Sequence, residues 1–228
     1  MRAIGIALFT TFRAIKVVIR GVINKHQGDY FYEEMKKWAD ELLKSAGTEI
    51  IVKGLENIDK NEKYIYIANH TNLIDIPILI KSLYFDKINF MYRASLQRVP
   101  MLGFALKHSP FIPIVRENFK KTNIEQANNI LKNAGSVVIF PEGTRSKTGE
   151  IGEFKRGAFT LAAFSNKKIV PICISGVEKI TPPNAGLKIN KGKVMVEILS
   201  PILKLPAERN ELLSAINDIR NMVMGVRK

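Results

Sequence analysis

The sequence predicts an α/β fold, a single domain with a central mixed sheet covered by helices, on three observations. From Glu49 onward, short runs of β-branched and aromatic residues alternate with longer segments whose apolar residues recur every three or four positions. No Pro/Gly/Ser-rich linker divides these runs, so 228 residues suffice for one sizeable core. The first 46 residues contain no strand-like run and read as two helices appended to that domain.

Within the appendage, the first 25 residues carry five basic residues (Arg2, Arg13, Lys16, Arg20, Lys25) and no acid. At about 100° per residue, Arg2, Arg13, Lys16 and Arg20 fall on one stripe, while Ile4, Leu8, Phe12, Ile15, Ile19 and Val22 form a broad apolar arc. The longest uncharged run, Ala3 to Phe12, is half of the roughly 20 residues that a membrane-spanning helix needs. The helix is therefore expected to lie in a membrane interface, the alternative being a helix docked on the protein's own core. A signal peptide would place its charges before the apolar stretch and a small-residue cleavage site after it, which this segment does not do. A second helix is expected from Asp29 to Ser45, with Phe31, Met35, Trp38, Leu42 and Leu43 at helical spacing and Gly47 as its stop. The helical pair thus occupies 1–46 and the α/β domain 47–228.

In the domain, strands are expected over Glu49–Lys53, Tyr64–Ala68, Ile88–Tyr92, Phe111–Val115, Ser136–Phe140, Ile169–Ser175 and Lys193–Ile198. Helices are expected over Ile76–Tyr84, Met101–Lys107, Phe119–Lys132, Gly157–Phe164 and Glu208–Met224.

Hydrophobic content of 46% with 25% charged residues is that of a globular protein and excludes disorder. The formal charge of +14 points to an anionic partner: nucleic acid, acidic lipid headgroups or a phosphorylated substrate. Nucleic acid fits poorly, because the aromatics sit in apolar runs and are not interleaved with Lys and Arg. Cys173 is the sole cysteine, which excludes an internal disulfide framework and a cysteine-rich zinc site. His26, His70 and His108 are far apart, and neither a G-x-S-x-G nor an H-E-x-x-H pattern occurs. Gly152 and Gly157 have the spacing of a phosphate loop, but Ala158 stands where its lysine would be. Lys155 and Arg156 read instead as a basic lip ahead of a helix.

Two stretches carry candidate chemistry. Ala68-Asn69-His70-Thr71-Asn72-Leu73-Ile74-Asp75-Ile76-Pro77 places an imidazole at a strand end and a carboxylate near a helix start. In such a turn the carboxylate can fix one ring nitrogen and leave the other free to take a proton. The same spacing also suits a polar loop with a helix cap. About seventy residues on, Phe140-Pro141-Glu142-Gly143-Thr144-Arg145-Ser146 follows another apolar strand and joins an acid, a glycine and an arginine in one loop.

In this order and at this separation, the two stretches resemble the glycerophospholipid acyltransferases, and among them the lysophosphatidate acyltransferases. Phe111–Arg116 and Val170–Ile172 are similar to two further blocks of that family, and the resemblance runs from about Lys53 to Gly176. The chain departs from the family's frequent pattern at Asn72, where serine is common, at Arg93, where lysine is common, and in the glycine and aspartate of the second block.

The resemblance implies transfer of a fatty acyl group from an acyl thioester to the free hydroxyl of lysophosphatidate, giving phosphatidate in phospholipid biosynthesis. It assigns His70 and Asp75 to catalysis, and Glu142, Gly143, Thr144 and Arg145 to acceptor binding, with Arg93 and Arg116 contributing. Arginine grips phosphate bidentately, and glycine lets the backbone approach it. Glu142 would repel a phosphate, so it is expected to orient Arg145, to hold a glycerol hydroxyl, or to pair with Arg145 or Arg156. With no serine or cysteine expected beside His70, the acceptor hydroxyl attacks the thioester directly, His70 removing its proton and Arg93 or backbone amides facing the oxyanion. No cofactor is expected beyond the thioester co-substrate, carried on coenzyme A or acyl carrier protein. Expected partners are an anionic membrane surface, a lysophospholipid acceptor and an acyl thioester donor, with acyl carrier protein as one candidate carrier, and no nucleic acid. The expected location is the cytoplasmic face of the cell membrane, peripheral or monotopic. Alternatives are glycerol-3-phosphate or another lysophospholipid as acceptor, or a basic, non-enzymatic module bound to anionic membrane or RNA.

Overall fold

The structure, a computed structural model, describes residues 12, 27–100, 102–115, 121–165, 167–182, 190–203, 205–206 and 208–227. Seven strands form one sheet: β1 (Thr48–Lys53), β2 (Ile65–Ala68), β3 (Ile88–Arg93), β4 (Ile112–Ile114), β5 (Ser136–Ile139), β6 (Ile169–Ser175) and β7 (Gly192–Ile198). Their order is β1-β7-β6-β2-β5-β3-β4. All neighbours are parallel except β6 and β7, so β1 and β7 run against the other five and the sheet is mixed, as expected.

Every residue of β2, β5 and β6 is buried. Parallel strands covered on both faces have no solvated side, which explains why these segments are continuous apolar runs. The edge strand β1 alternates between half-buried and exposed residues. Period-two geometry splits β2 between two cores: Tyr64, Tyr66 and Ala68 face one layer, and Ile65 and Ile67 the other.

Helix α1 (Gln27–Ala46) and α2 (Asp75–Ser82) cover the first face. Ala39, Leu42 and Leu43 of α1 meet Ile78, Leu79 and Leu83 there. Of the expected N-terminal pair, the second helix is thus α1, and its apolar stripe lies in the domain's own core. The first helix lies outside the described residues except for Phe12. The second face is covered by α4 (Lys121–Asn133), α5 (Arg156–Ser165) and α7 (Arg209–Gly225), through Ala127, Leu131, Phe159, Leu161, Ile216, Ile219 and Val223. Two short helices, α3 (Leu102–Lys107) and α6 (Val177–Ile180), and 3-10 turns at Leu55–Asn57 and Ala94–Arg98 are the remaining elements among the described residues. Among the described residues, no helix is long and apolar enough to cross a membrane.

At the amino ends of the strands, buried Asp86 accepts hydrogen bonds from Ser136 Oγ, Tyr66 Oη and Lys63 Nζ, the latter two at 3.2 Å. The candidate residues lie at the other end. There the loops after β2 and β5, adjacent strands in the sheet, leave side by side, the usual place for a ligand crevice in open α/β sheets.

Candidate active site

The loop after β2 is anchored before it turns. Asn69 is buried, and its side chain bonds both backbone groups of Ile174 on β6, donating to the carbonyl at 2.9 Å and accepting from the N–H at 2.7 Å. His70 follows and Asp75 opens α2, with Pro77 in the first turn, where a missing N–H leaves no bond unmade.

Asp75 does not cap its helix. Its side chain is fully buried, and Oδ2 reaches back along the loop to the N–H of Thr71 at 2.6 Å, the N–H of Asn72 at 2.8 Å and His70 Nδ1 at 2.8 Å. Of the two readings that the spacing allowed, a capped turn or a held imidazole, the structure has the second. The contact makes Nδ1 the protonated nitrogen and leaves Nε2 with a free lone pair. Asp75 Oδ1 is buried with no donor among the described residues, so part of the carboxylate's charge stands uncompensated beside the ring. Unlike that of Asp75, which keeps none, His70's side chain keeps 13% of its surface exposed. Its ring stacks on Phe140 at 3.9 Å between centroids and 15° between planes, which sets the ring's second axis.

The loop after β5 holds the His70 backbone on both sides. Glu142 Oε1 accepts the His70 N–H at 2.8 Å, and Ser146 N–H donates to the His70 carbonyl at 2.8 Å. The other Glu142 oxygen accepts the Gly152 N–H at 2.9 Å. Glu142 is therefore spent on two backbone amides, and the pairings expected with Arg145 and Arg156 are not formed. Its 4% exposure pushes the carboxyl's pKa up, while the His70 and Gly152 amides pull it down. Gly143 turns the loop at φ 66°, a left-handed conformation that suits glycine, and its N–H returns to the Phe140 carbonyl at 3.0 Å.

Past that turn the loop opens to solvent, and Thr144 and Arg145 are exposed. Arg93 is exposed at the end of β3. Counting three residues on from the register Phe90↔Val138 and Tyr66↔Val138 sets Arg93 level with Pro141 and Asn69. Neither Arg93 nor Arg145 has an ion pair or side-chain donor bond among the described residues. Arg116 lies outside them. The arrangement can therefore offer a nitrogen, Nε2, able to act as a base with a fixed tautomer, and exposed cations at the same end of the sheet. No cluster of His, Cys, Asp or Glu among the described residues is placed to hold a metal ion.

Three participants escaped the sequence reading: Asn69, Phe140 and Gly152. Asn69 and Phe140 stand inside the two stretches without a role assigned, and the repulsion expected between Glu142 and a phosphate is the signal that pointed to another partner for that carboxylate.

Comparison with known proteins adds a family. A family model described as "Acyltransferase" matches residues 49–175. The chain is 34% identical to the chloroplastic 1-acyl-sn-glycerol-3-phosphate acyltransferase LPAT1 of Arabidopsis thaliana over 67% of its own length and 43% of that protein's. It is 32% identical to the 1-acyl-sn-glycerol-3-phosphate acyltransferase of Saccharomyces cerevisiae over 80% of its length and 61% of that relative's. The chain thus spans less than two thirds of either relative. The fold matches the crystal structure of the 1-acyl-sn-glycerophosphate acyltransferase from Thermotoga maritima with a TM-score of 0.75 at 23% identity, covering 99% of this chain and 96% of that one.

Proposed function

Because this chain belongs to the acyltransferase family, we propose that it moves a fatty acyl group from an acyl thioester to the free hydroxyl of lysophosphatidate, forming phosphatidate. The observation that carries the reading is the 2.8 Å contact of His70 Nδ1 with a fully buried Asp75, which leaves Nε2 without a partner among the described residues.

In this reaction Nε2 takes the proton of the acceptor hydroxyl as its oxygen bonds to the thioester carbonyl carbon. The imidazolium that forms is stabilised by the adjacent Asp75 charge, which the protein interior screens weakly. The tetrahedral oxyanion then collapses, the C–S bond breaks, and the thiolate leaves with the proton returned from Nε2. Base catalysis of this kind contributes roughly 10²–10⁴-fold in rate. No hydroxyl or thiol hydrogen-bonds the ring among the described residues, which favours direct transfer over an acyl-enzyme. Arg93 faces the oxyanion, and Arg145, with Thr144 and the Gly143 backbone, receives the acceptor's phosphate. Glu142 serves the acceptor only indirectly, by holding His70.

The substrate's place is a lipid surface. After Arg93 the 3-10 turn and α3 form a compact unit, tied to β3 by Gln97 Nε2 donating to Tyr92 Oη at 2.7 Å. Leu96, Val99, Leu102 and Phe104 are exposed on it, Phe104 at 52%. The exposed cations Arg93, Arg98 and Lys107 accompany them. Apolar side chains interspersed with cations at the site's end of the sheet suit an anionic leaflet, in which lysophosphatidate resides. We place the protein peripherally on the cytoplasmic face of the membrane, its N-terminal amphipathic segment adding to this contact.

The test is purified protein with lysophosphatidate and either acyl-coenzyme A or acyl-acyl carrier protein, products read by mass spectrometry. Phosphatidate with one thiol released per acyl transferred is expected. Acylation of glycerol-3-phosphate or another lysolipid in its place would reassign the acceptor, and no transfer at all would overturn the reading.

A further inference from the structure

The brace behind His70 does not end at Glu142. Gly152 N–H, which donates to Glu142 Oε2 at 2.9 Å, belongs to the peptide group whose carbonyl is Ile151 O. That carbonyl accepts from Arg220 Nη2 at 2.8 Å, and the next carbonyl, Gly152 O, accepts from Arg220 Nε at 2.7 Å. Arg220 lies on α7, beyond the residues 49–175 that the family model covers. A guanidinium on a peptide oxygen draws density from the nitrogen and makes its N–H a stronger donor, so successive bonds reinforce one another. The path runs from Arg220 through the Ile151–Gly152 peptide to Glu142, and from Glu142 to the N–H of His70.

We propose that Arg220 is a positioning residue for the candidate base, setting the His70 backbone through Gly152 and Glu142; the inference rests on the acyltransferase reading only in what His70 then does. Two observations separate this role from simple attachment of the helix. Leu212, Ile216, Ile219 and Val223 on α7 are buried in the second core and hold the helix without the arginine. Gly152 is matched to its carboxylate: a Cβ there would stand 3.0 Å from Glu142 Oε2, tighter than an ordinary contact. Arg227 supplies an internal comparison. It donates to Gly149 O and reaches Glu178 at 3.4 Å, so it clips the same loop without touching the peptide that serves Glu142.

The experiment compares wild type, Arg220→Ala, Arg220→Lys, Gly152→Ala and Arg227→Ala, each first checked for an unchanged circular dichroism spectrum. The readout independent of activity is amide hydrogen exchange at His70. It should quicken about tenfold in Arg220→Ala and Gly152→Ala, less in Arg220→Lys, and not in Arg227→Ala, with the amides of β2 and β6 unchanged. In acyl transfer, kcat should fall about tenfold in Arg220→Ala with both KM values held within about twofold, and added guanidinium should restore part of it. Unchanged exchange at His70 in Arg220→Ala, or equal quickening in Arg227→Ala, overturns the proposal whatever the activity. If the wild type transfers no acyl group while the exchange pattern holds, the acyltransferase reading fails and the positioning role stands.

Discussion

Glu142 and His70, seventy-two positions apart in sequence, are joined by a 2.8 Å hydrogen bond from the His70 backbone N–H to Glu142 Oε1. The acid of one motif thus holds the main chain of the candidate base in the other, while Asp75 holds its ring. Backbone and ring are set by different carboxylates, and each can be removed separately.

His70→Ala should abolish acyl transfer and thiol release together, and Asp75→Asn should lower kcat by roughly 10²–10⁴-fold, since an amide facing Nδ1 favours the wrong tautomer. Intact-mass measurement of enzyme quenched during turnover should find no acyl adduct. An adduct on the protein, or turnover in His70→Ala, contradicts direct transfer.

Glu142→Gln should leave one of two N–H groups without an acceptor, costing about 1–3 kcal/mol in unfolding free energy. The pH dependence has a definite sign. Burial raises the folded carboxyl's pKa above the ordinary value of 4.5, so just above that value the native state keeps a proton that the unfolded chain has released. Glu142's contribution to stability therefore falls as pH rises through that window. Denaturant titrations from acid to neutral pH should show this descending component in wild type and not in Glu142→Gln.

Arg145→Ala should lower kcat/KM for lysophosphatidate by about 10- to 150-fold, the equivalent of a lost charge-assisted bond of roughly 1.5–3 kcal/mol. KM for the thioester should stay near the wild-type value. Steady-state kinetics with each substrate varied in turn decides this, and a rise in the donor's KM alone would move Arg145 to the donor side.

Replacing Leu96 and Phe104 together by serine should leave the fold intact, because both side chains are exposed. Activity on lysophosphatidate in anionic vesicles should drop about tenfold, while activity on a short-chain, water-soluble analogue should not change. Sedimentation with vesicles provides the binding arm. Equal loss on both substrates would place these residues in the substrate pocket and not at a leaflet.

What could be read from the chain depended on how local its determinant was. The buried strands and amphipathic helices announce themselves by periodicity, so β2, β5, β6 and α7 fall within a residue or two of their expected ends. The His70–Asp75 contact was legible because one turn spans it. Glu142 was placed in the right loop but with other partners, because its donors come from His70 and Gly152, and amide directions leave no mark on spacing. The antiparallel β7 and the reach of Arg220 to the Ile151 carbonyl were not legible, since both depend on how distant segments cross.

The strand order also governs how the chain assembles as it is synthesised. β2 sits between β5 and β6, so Ile65 waits for Val137 and Ile169, and the edge strand β1 waits for Gly192 to meet Thr48. At roughly 5–20 residues per second, the first neighbour of β2 emerges several seconds after it does. For that interval the Tyr64–Ala68 run, fully buried in the finished sheet, has no strand to pair with. Each strand pairing in the sheet joins distant parts of the sequence, a topology that slows folding and exposes the nascent chain to aggregation. Slower expression at lower temperature, or added chaperone, should raise soluble yield more for this chain than for a helical bundle of similar length.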